Sequence, residues 1–384
     1  MRKERFLIIL LAAGLFYLTP VALADWSAAH RLTWTSGVSG APDIAIDSSD
    51  TIHVVWSDDT PGNNEIYYKR STDGGTTWSA AKRIAWTAGN SLSPAMAIDS
   101  SETLHVVWAD YTPGNYELYY KSSADAGTTW SAAQRLTWTS GDSYAPAIAI
   151  DPSETLHVVW YDYTPGKTEI YHKSSADAGT TWSAAKRITW TSGWSGGAAI
   201  AIDLSDAIHI VWEDDTPGNT EIYYKGSADG GSTWSAAKRI TWTPSKSYGP
   251  AITTDSSDAI HVVWSDLTPG NMEIYYKGSA DGGSTWSASK RLTWTSGTSS
   301  SPVIAKDSGD IIHVAWSDYT PGNPEIYYKS SPDGGSTWSA TTRITWTSGI
   351  SHSTAIAIDS SDAIHVVWAN DTPGNYEIYY KKGT

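Results

Sequence analysis

Histidine returns seven times at a fixed interval of 52 residues, at His53, His105, His157, His209, His261, His313 and His365. Imidazoles that met at one point could hold a metal or act as general bases. Each of these instead stands alone in its own apolar stretch, between neighbours such as Ile52 and Val54, without the further ligands a metal needs. The expectation is seven packed, hydrogen-bonded histidines and no metal or cofactor. Arginine is as regular, at Arg31, Arg83, Arg135, Arg187, Arg239, Arg291 and Arg343, and beyond residues 1–24 only Arg70 falls outside the series. These guanidiniums are expected to pair with repeated acids at a rim. Glu65, Tyr67 and Tyr68 set a carboxylate beside phenols, the material of nucleophilic or acid–base chemistry. The same set recurs unit after unit, whereas catalysis needs one asymmetric place, so no catalytic residue is assigned.

The elements that must position these groups follow from the repeat. STDGGTTW at 71–78 returns as SADAGTTW at 123 and 175, SADGGSTW at 227 and 279 and SPDGGSTW at 331. Its aspartates, Asp73, Asp125, Asp177, Asp229, Asp281 and Asp333, are placed to accept hydrogen bonds from amides of their own turns. Gly75 and its equivalents permit a positive φ, and Trp78 and its equivalents are expected to pack beneath. The rest of the unit, marked by TPG from Thr60 to Thr372, repeats seven times at the same interval. PDIAID (42–47), TIHVVWS (51–57), EIYYKRS (65–71) and WSAAKRIAW (78–86), here strands A to D, are rich in β-branched and aromatic residues and separated by turn chemistry. No window carries a sustained 3.6-residue apolar period. Four short antiparallel strands per unit in seven units predict an all-β fold, a seven-bladed β-propeller, as a single domain over residues 25–384.

Residues 25–34 read as a strand D with no unit before it, and 376–384 as a strand C with no strand D after it. The two pair only if the ring closes on itself. The seventh blade is then expected to take A, B and C from residues 354–382 and D from 26–34. Closure also removes exposed edges that would invite aggregation.

The S-x-D-x-G-x-T-W phrase resembles the Asp-box, or bacterial neuraminidase repeat, of sialidase-like propellers, and the repeats cover essentially all of residues 25–384. In that family the box is a structural device, which agrees with the turn chemistry above. The resemblance would also imply an arginine set that clamps a carboxylate, with a Tyr–Glu nucleophile pair and an acid/base Asp around one site. This chain has no such asymmetric set and no Arg-Ile-Pro motif, so the resemblance supports the fold rather than the activity.

Strand alternation puts A–B and C–D turns on one face and B–C and D–A loops on the other. The first face is nearly constant, and the second changes in size, charge and aromaticity. Its D–A loops carry Tyr144, Trp194 and Tyr248, and its B–C loops carry Tyr111, Tyr163 and Tyr319. Beside the B–C loops stand Asp58, Asp110, Asp162, Asp214, Asp266 and Asp318, with Asn370 in the seventh unit. Stiff aromatics beside acids suit hydroxyl-rich ligands, which makes these twelve residues the candidate ligand-binding set. WSDDTPGN lacks the alternating acid spacing of a calcium loop.

Composition limits the partners. The chain carries 41 acidic against 26 basic residues, a net charge of −15, which argues against nucleic acid or an anionic membrane surface. Cysteine is absent, so stability must come from burial without disulfides. Twenty-one of the 22 tryptophans fall in three repeated positions, and such regularity reads as architecture. Residues 1–24 have the layout of a signal peptide, with Arg2, Lys3 and Arg5, an apolar run, and a small-residue exit near Ala24. The expectation is an exported, lectin-like monomer without membrane insertion, binding a glycan or a surface protein. A sialidase-type glycoside hydrolase and a purely structural repeat protein are the alternatives.

Overall fold

The computed structural model describes residues 25–384 apart from Pro165 and Pro321. The signal-peptide reading falls outside them. The described residues form seven four-stranded antiparallel sheets. In the first blade strand A is Ser39–Ile46, B is Ile52–Asp58, C is Glu65–Ser71 and D is Lys82–Arg83. The A strands of successive blades pack against one another, the last against the first, and so surround the axis.

Strand B is buried at every residue in the first blade, because neighbouring blades cover both of its faces. Its apolar run is therefore continuous rather than alternating. Trp56, Val54 and Ile44 pack against Val367, Ala369 and Ile378 of the adjoining blade, and the same interface recurs around the ring. Burying one such side chain contributes roughly 1.5–3 kcal/mol. Seven equivalent tryptophans, Trp56 to Trp368, anchor the seven interfaces.

Closure is as expected. The sheet of the last blade runs His30–Arg31, Glu377–Gly383, Ile364–Asn370, Ser351–Ile358, with His30 opposite Tyr380. Asp25 and Thr384 exchange two backbone hydrogen bonds of 3.0 Å where the other blades have a hairpin. Trp26 meets Tyr328 edge-on at 5.4 Å, as Trp78 meets Tyr380 at 5.1 Å.

Two elements differ from expectation. Strand D shrinks to two residues, because Ile84 and Ala85 both donate to the carbonyl of Ile66 while the Arg83 side chain takes the carbonyl of Ala85. The irregular outer strand leaves no long free edge. Strand A begins earlier, at Ser39, and passes Pro42 through a bulge, with Ala41 at φ 47°. The bulge admits a residue that has no amide hydrogen to give.

In the box, Asp73 Oδ1 accepts from Thr77 N at 2.8 Å and Asp73 Oδ2 from the Thr77 hydroxyl at 2.6 Å. Gly75 is needed twice over. Its φ is +89°, and a Cβ there would lie 2.2 Å from the Tyr380 ring.

The tryptophan expectation needs correction. The strand-B series is buried and the box series half-buried, but the third series, Trp34, Trp86, Trp138, Trp190, Trp242, Trp294 and Trp346, is 66–72% exposed.

Candidate ligand-binding face

The repeated polar residues are engaged with one another. His53 Nδ1 lies 2.7 Å from Tyr68 Oη and Nε2 lies 3.1 Å from Asp47, while Tyr68 donates to the carbonyl of Ala126 in the next blade. Burial holds all seven strand-B imidazoles below the ordinary value despite the carboxylate beside each. The strand-D arginines reach the glutamates that open strand C, as in Arg187 to Glu169 at 2.6 Å. Arg70 donates to the carbonyl of Ala126 on the box face. Among the described residues no group of three or more His, Asp or Glu is placed to hold a metal ion.

On the opposite face the B–C and D–A loops meet, as strand alternation requires. Ser91 donates to Asp110 Oδ2 at 2.8 Å, and Thr112 N donates to Asp110 Oδ1 at 2.8 Å. Asp58, Asp162, Asp214, Asp266 and Asp318 repeat this pair of bonds at 2.6–2.9 Å. All six are buried, so they join the two loops and offer no carboxylate to a ligand. Their place in the candidate set is corrected: adjacency to a variable loop does not imply exposure.

The aromatic residues divide. Tyr116 bridges Tyr111 and Tyr144, with ring centroids 5.0 and 5.1 Å apart. Tyr161 in turn faces Tyr144 at 5.9 Å, Tyr163 at 6.0 Å and Trp194 at 6.4 Å. Tyr111, Tyr144, Tyr163 and Trp194 thus belong to one six-ring array crossing blades two, three and four. Tyr111 and Tyr163 are exposed, and Tyr144 and Trp194 half-buried. Tyr248, under the Lys246 ammonium, and Tyr319 stand in other blades and touch no ring of the array.

The central ring of the array comes from a strand, where no loop comparison would find it. The position before the last residue of strand B reads Ser57, Ala109, Tyr161, Glu213, Ser265, Ser317 and Ala369. This series was the available signal. Burial pushes the Tyr161 phenol above its ordinary value. Glu213 accepts a 2.6 Å bond from Gly249 N in the next blade, and burial still pushes its carboxyl up to about 7. Asp43 stands where the other units carry Ala or Val, accepts from Met96 N at 2.8 Å, and is pushed up to about 6 by burial.

A recess of about 780 Å³ lies on the box face between blades four and five. Its wall includes Gly226, which stands where the first blade has Arg70. Its His209, Asp203 and Tyr224 are satisfied by one another and by the carbonyl of Gly282 in the next blade, as the equivalent residues are in four other blades.

Residues 213–383 match the BNR repeat-like domain. No curated protein matches the chain. Among solved structures, an ulvan lyase from a polysaccharide lyase family has a TM-score of 0.64 at 12% identity, over 90% of this chain and 94% of the lyase. A Hadza microbial sialidase gives 0.57 at 15% identity, over 90% of this chain, which spans 65% of the sialidase. The α-L-arabinanase of Penicillium chrysogenum complexed with arabinobiose gives 0.55 at 16%, over 90% and 92% of the two chains. Likeness at these identities is likeness of fold.

Proposed function

Because the chain is a β-propeller of the BNR-repeat, sialidase-like kind, we propose that it is an exported, non-catalytic module that binds a glycan through its variable face. The single observation that carries this reading is the array of six rings from Tyr111 to Trp194, set at one end of three adjacent blades. Flat, stiff rings with phenolic rims give a pyranose apolar contact for its C–H faces and hydrogen bonds for its hydroxyls. Propellers of the same fold whose names record a lyase, a sialidase and an arabinanase act on or bind saccharides, which favours a saccharide over a protein partner.

One observation favours a hydrolase. Burial raises the Glu213 carboxyl to about 7, the range in which a general acid works at neutral pH. Against it, the strand-D arginines are bound to glutamates, and the Asp215 carboxylate is taken by the amide of Trp194 at 2.5 Å. A glycan array run beside release assays with a sialoside, an arabinan and an ulvan separates the two. Retention without product supports the binding module. Product that disappears in Glu213→Gln supports the hydrolase, and neither retention nor product overturns both.

A further inference from the structure

Seven tryptophans at the ends of the D strands, Trp34 to Trp346, are each about two-thirds exposed on the outer rim. At each, the strand-D arginine lies over the indole, 5.6 Å from its centroid for Arg187 and Trp190. At six of the seven, a strand-C lysine from the next blade lies over the same ring, as Lys225 does at 5.8 Å. The indole therefore stands at the cleft between two blades.

At two of the seven boundaries the cleft is a formed pocket. Beside Trp190 it encloses about 220 Å³, with Trp212, Tyr223, Thr191 and Thr216 in its wall. At the boundary where the ring closes, the equivalent pocket encloses about 320 Å³ beside Trp34, Trp56 and Tyr67. Trp212 and Tyr223 are stacked at 5.8 Å and make an aromatic wall beside the exposed indole. Such volumes lie at or below the low end of pockets for drug-sized ligands, about 300–1,000 Å³, and suit a single sugar ring.

The charges there cancel. Arg187 is paired with buried Glu169, and Lys225 lines the pocket beside Asp214, whose buried carboxylate is bonded to Ser195 and Thr216. A neutral ligand is favoured over an anion, because neither sign of charge is in excess.

Clamping the blades together does not account for the open indole. The blades are already joined without it, by Lys225 Nζ donating to the carbonyl of Ile188 at 2.8 Å, and strand C is tied to strand D by Ile170 N donating to the Thr189 hydroxyl at 2.8 Å.

We propose that the rim carries seven equivalent sites, each taking one pyranose or furanose residue of a neutral polysaccharide against the exposed tryptophan. They are separate from the array on the variable face, and either could fail alone. Equivalent sites around a ring engage a repeating polymer by avidity, so weak single contacts suffice.

The test is affinity electrophoresis of the full chain through gels containing a neutral glucan, xylan, galactan or arabinan, or the anionic polygalacturonate. Wild type is compared with Trp190→Ala, with the triple change Trp138→Ala, Trp190→Ala and Trp242→Ala, and with all seven changed. Retardation by at least one neutral polymer is expected, reduced less than twofold by the single change, several-fold by the triple and at least tenfold by all seven. Should the last not fold, the single and triple variants decide. Ser100→Ala with Ser257→Ala, exposed on the box face, should leave this retardation in place. Retardation by polygalacturonate alone, none by any neutral polymer, or retardation unchanged in the triple variant would overturn the proposal. So would self-association without glycan binding that the tryptophan changes abolish.

Discussion

The two faces of the disc are made from the same four strands, yet one repeats in every blade and the other does not. On the box face, side chains close on one another: His53 on Tyr68 and Asp47, Asp73 on its own turn, Ser360 of the last blade on Asp50 of the first. These bonds either fix a turn or hold blade to blade, so substituting the groups that make them costs stability in any unit. On the opposite face the buried aspartates do that work beneath the loops, and the tips above are released from it. The comparison teaches that constancy tracks internal satisfaction. Freedom to vary begins where the last framework bond ends.

The largest effect should come from opening the ring. Deleting residues 25–34 removes the strand paired with Glu377–Gly383 and the Leu32 side chain from the core. It leaves a free edge, and the product should aggregate or fail to melt cooperatively in calorimetry. A monomer as stable as the parent would show that closure is dispensable.

Within the framework, Trp212→Ala should cost about 3–5 kcal/mol in chemical denaturation, since the ring is fully buried and leaves a cavity. Gly179→Ala should cost about 1–3 kcal/mol, because the added methyl would meet the Tyr120 hydroxyl at 2.2 Å and the residue sits at φ +83°. On the variable face, Tyr111→Ala should change stability by no more than about 0.5 kcal/mol, as exposed substitutions usually do. A cost equal to that of Gly179→Ala would erase the distinction between the faces.

The smallest effect separates the faces by pH. The framework histidines are held below their ordinary 6.5, so the fold prefers them neutral. Their contribution is complete above about 6.5 and declines as pH falls below it. Glu213 behaves oppositely. Its carboxyl is raised from 4.5 to about 7, so its contribution is complete below 4.5 and is lost as pH rises toward 7. Glu213→Gln should remove this opposing contribution, so that stability falls more steeply toward acid between those values than in wild type, where the two partly cancel. An unchanged profile would mean that the Glu213 carboxyl is solvated.

The fold was legible because a 52-residue period fixes blade number, strand order and closure together, and TIHVVWS and STDGGTTW each admit one local structure. The site was legible in part. Tyr144 and Trp194 stand out by their size in a loop series and do meet in one array. Asp58 and its equivalents look like surface acids, but the Ser and Thr that bury them lie 19 residues before and two after. Tyr161 and Glu213 were hidden because they stand near the end of strand B, whose long apolar run reads as core. The exposed tryptophans were hidden by their own regularity, which sequence alone cannot tell from packing.

Isothermal titration on a soluble oligosaccharide selected by the array, with wild type, Tyr144→Ala plus Trp194→Ala, and a box-face control of Ser100→Ala plus Ser257→Ala, tests the function of the variable face most directly. One site per chain is expected in wild type and in the control, with affinity reduced at least tenfold in the aromatic variant while its melting temperature stays within a few degrees. Equal loss from both pairs, or undiminished affinity in the folded aromatic variant, would contradict a binding role for this face.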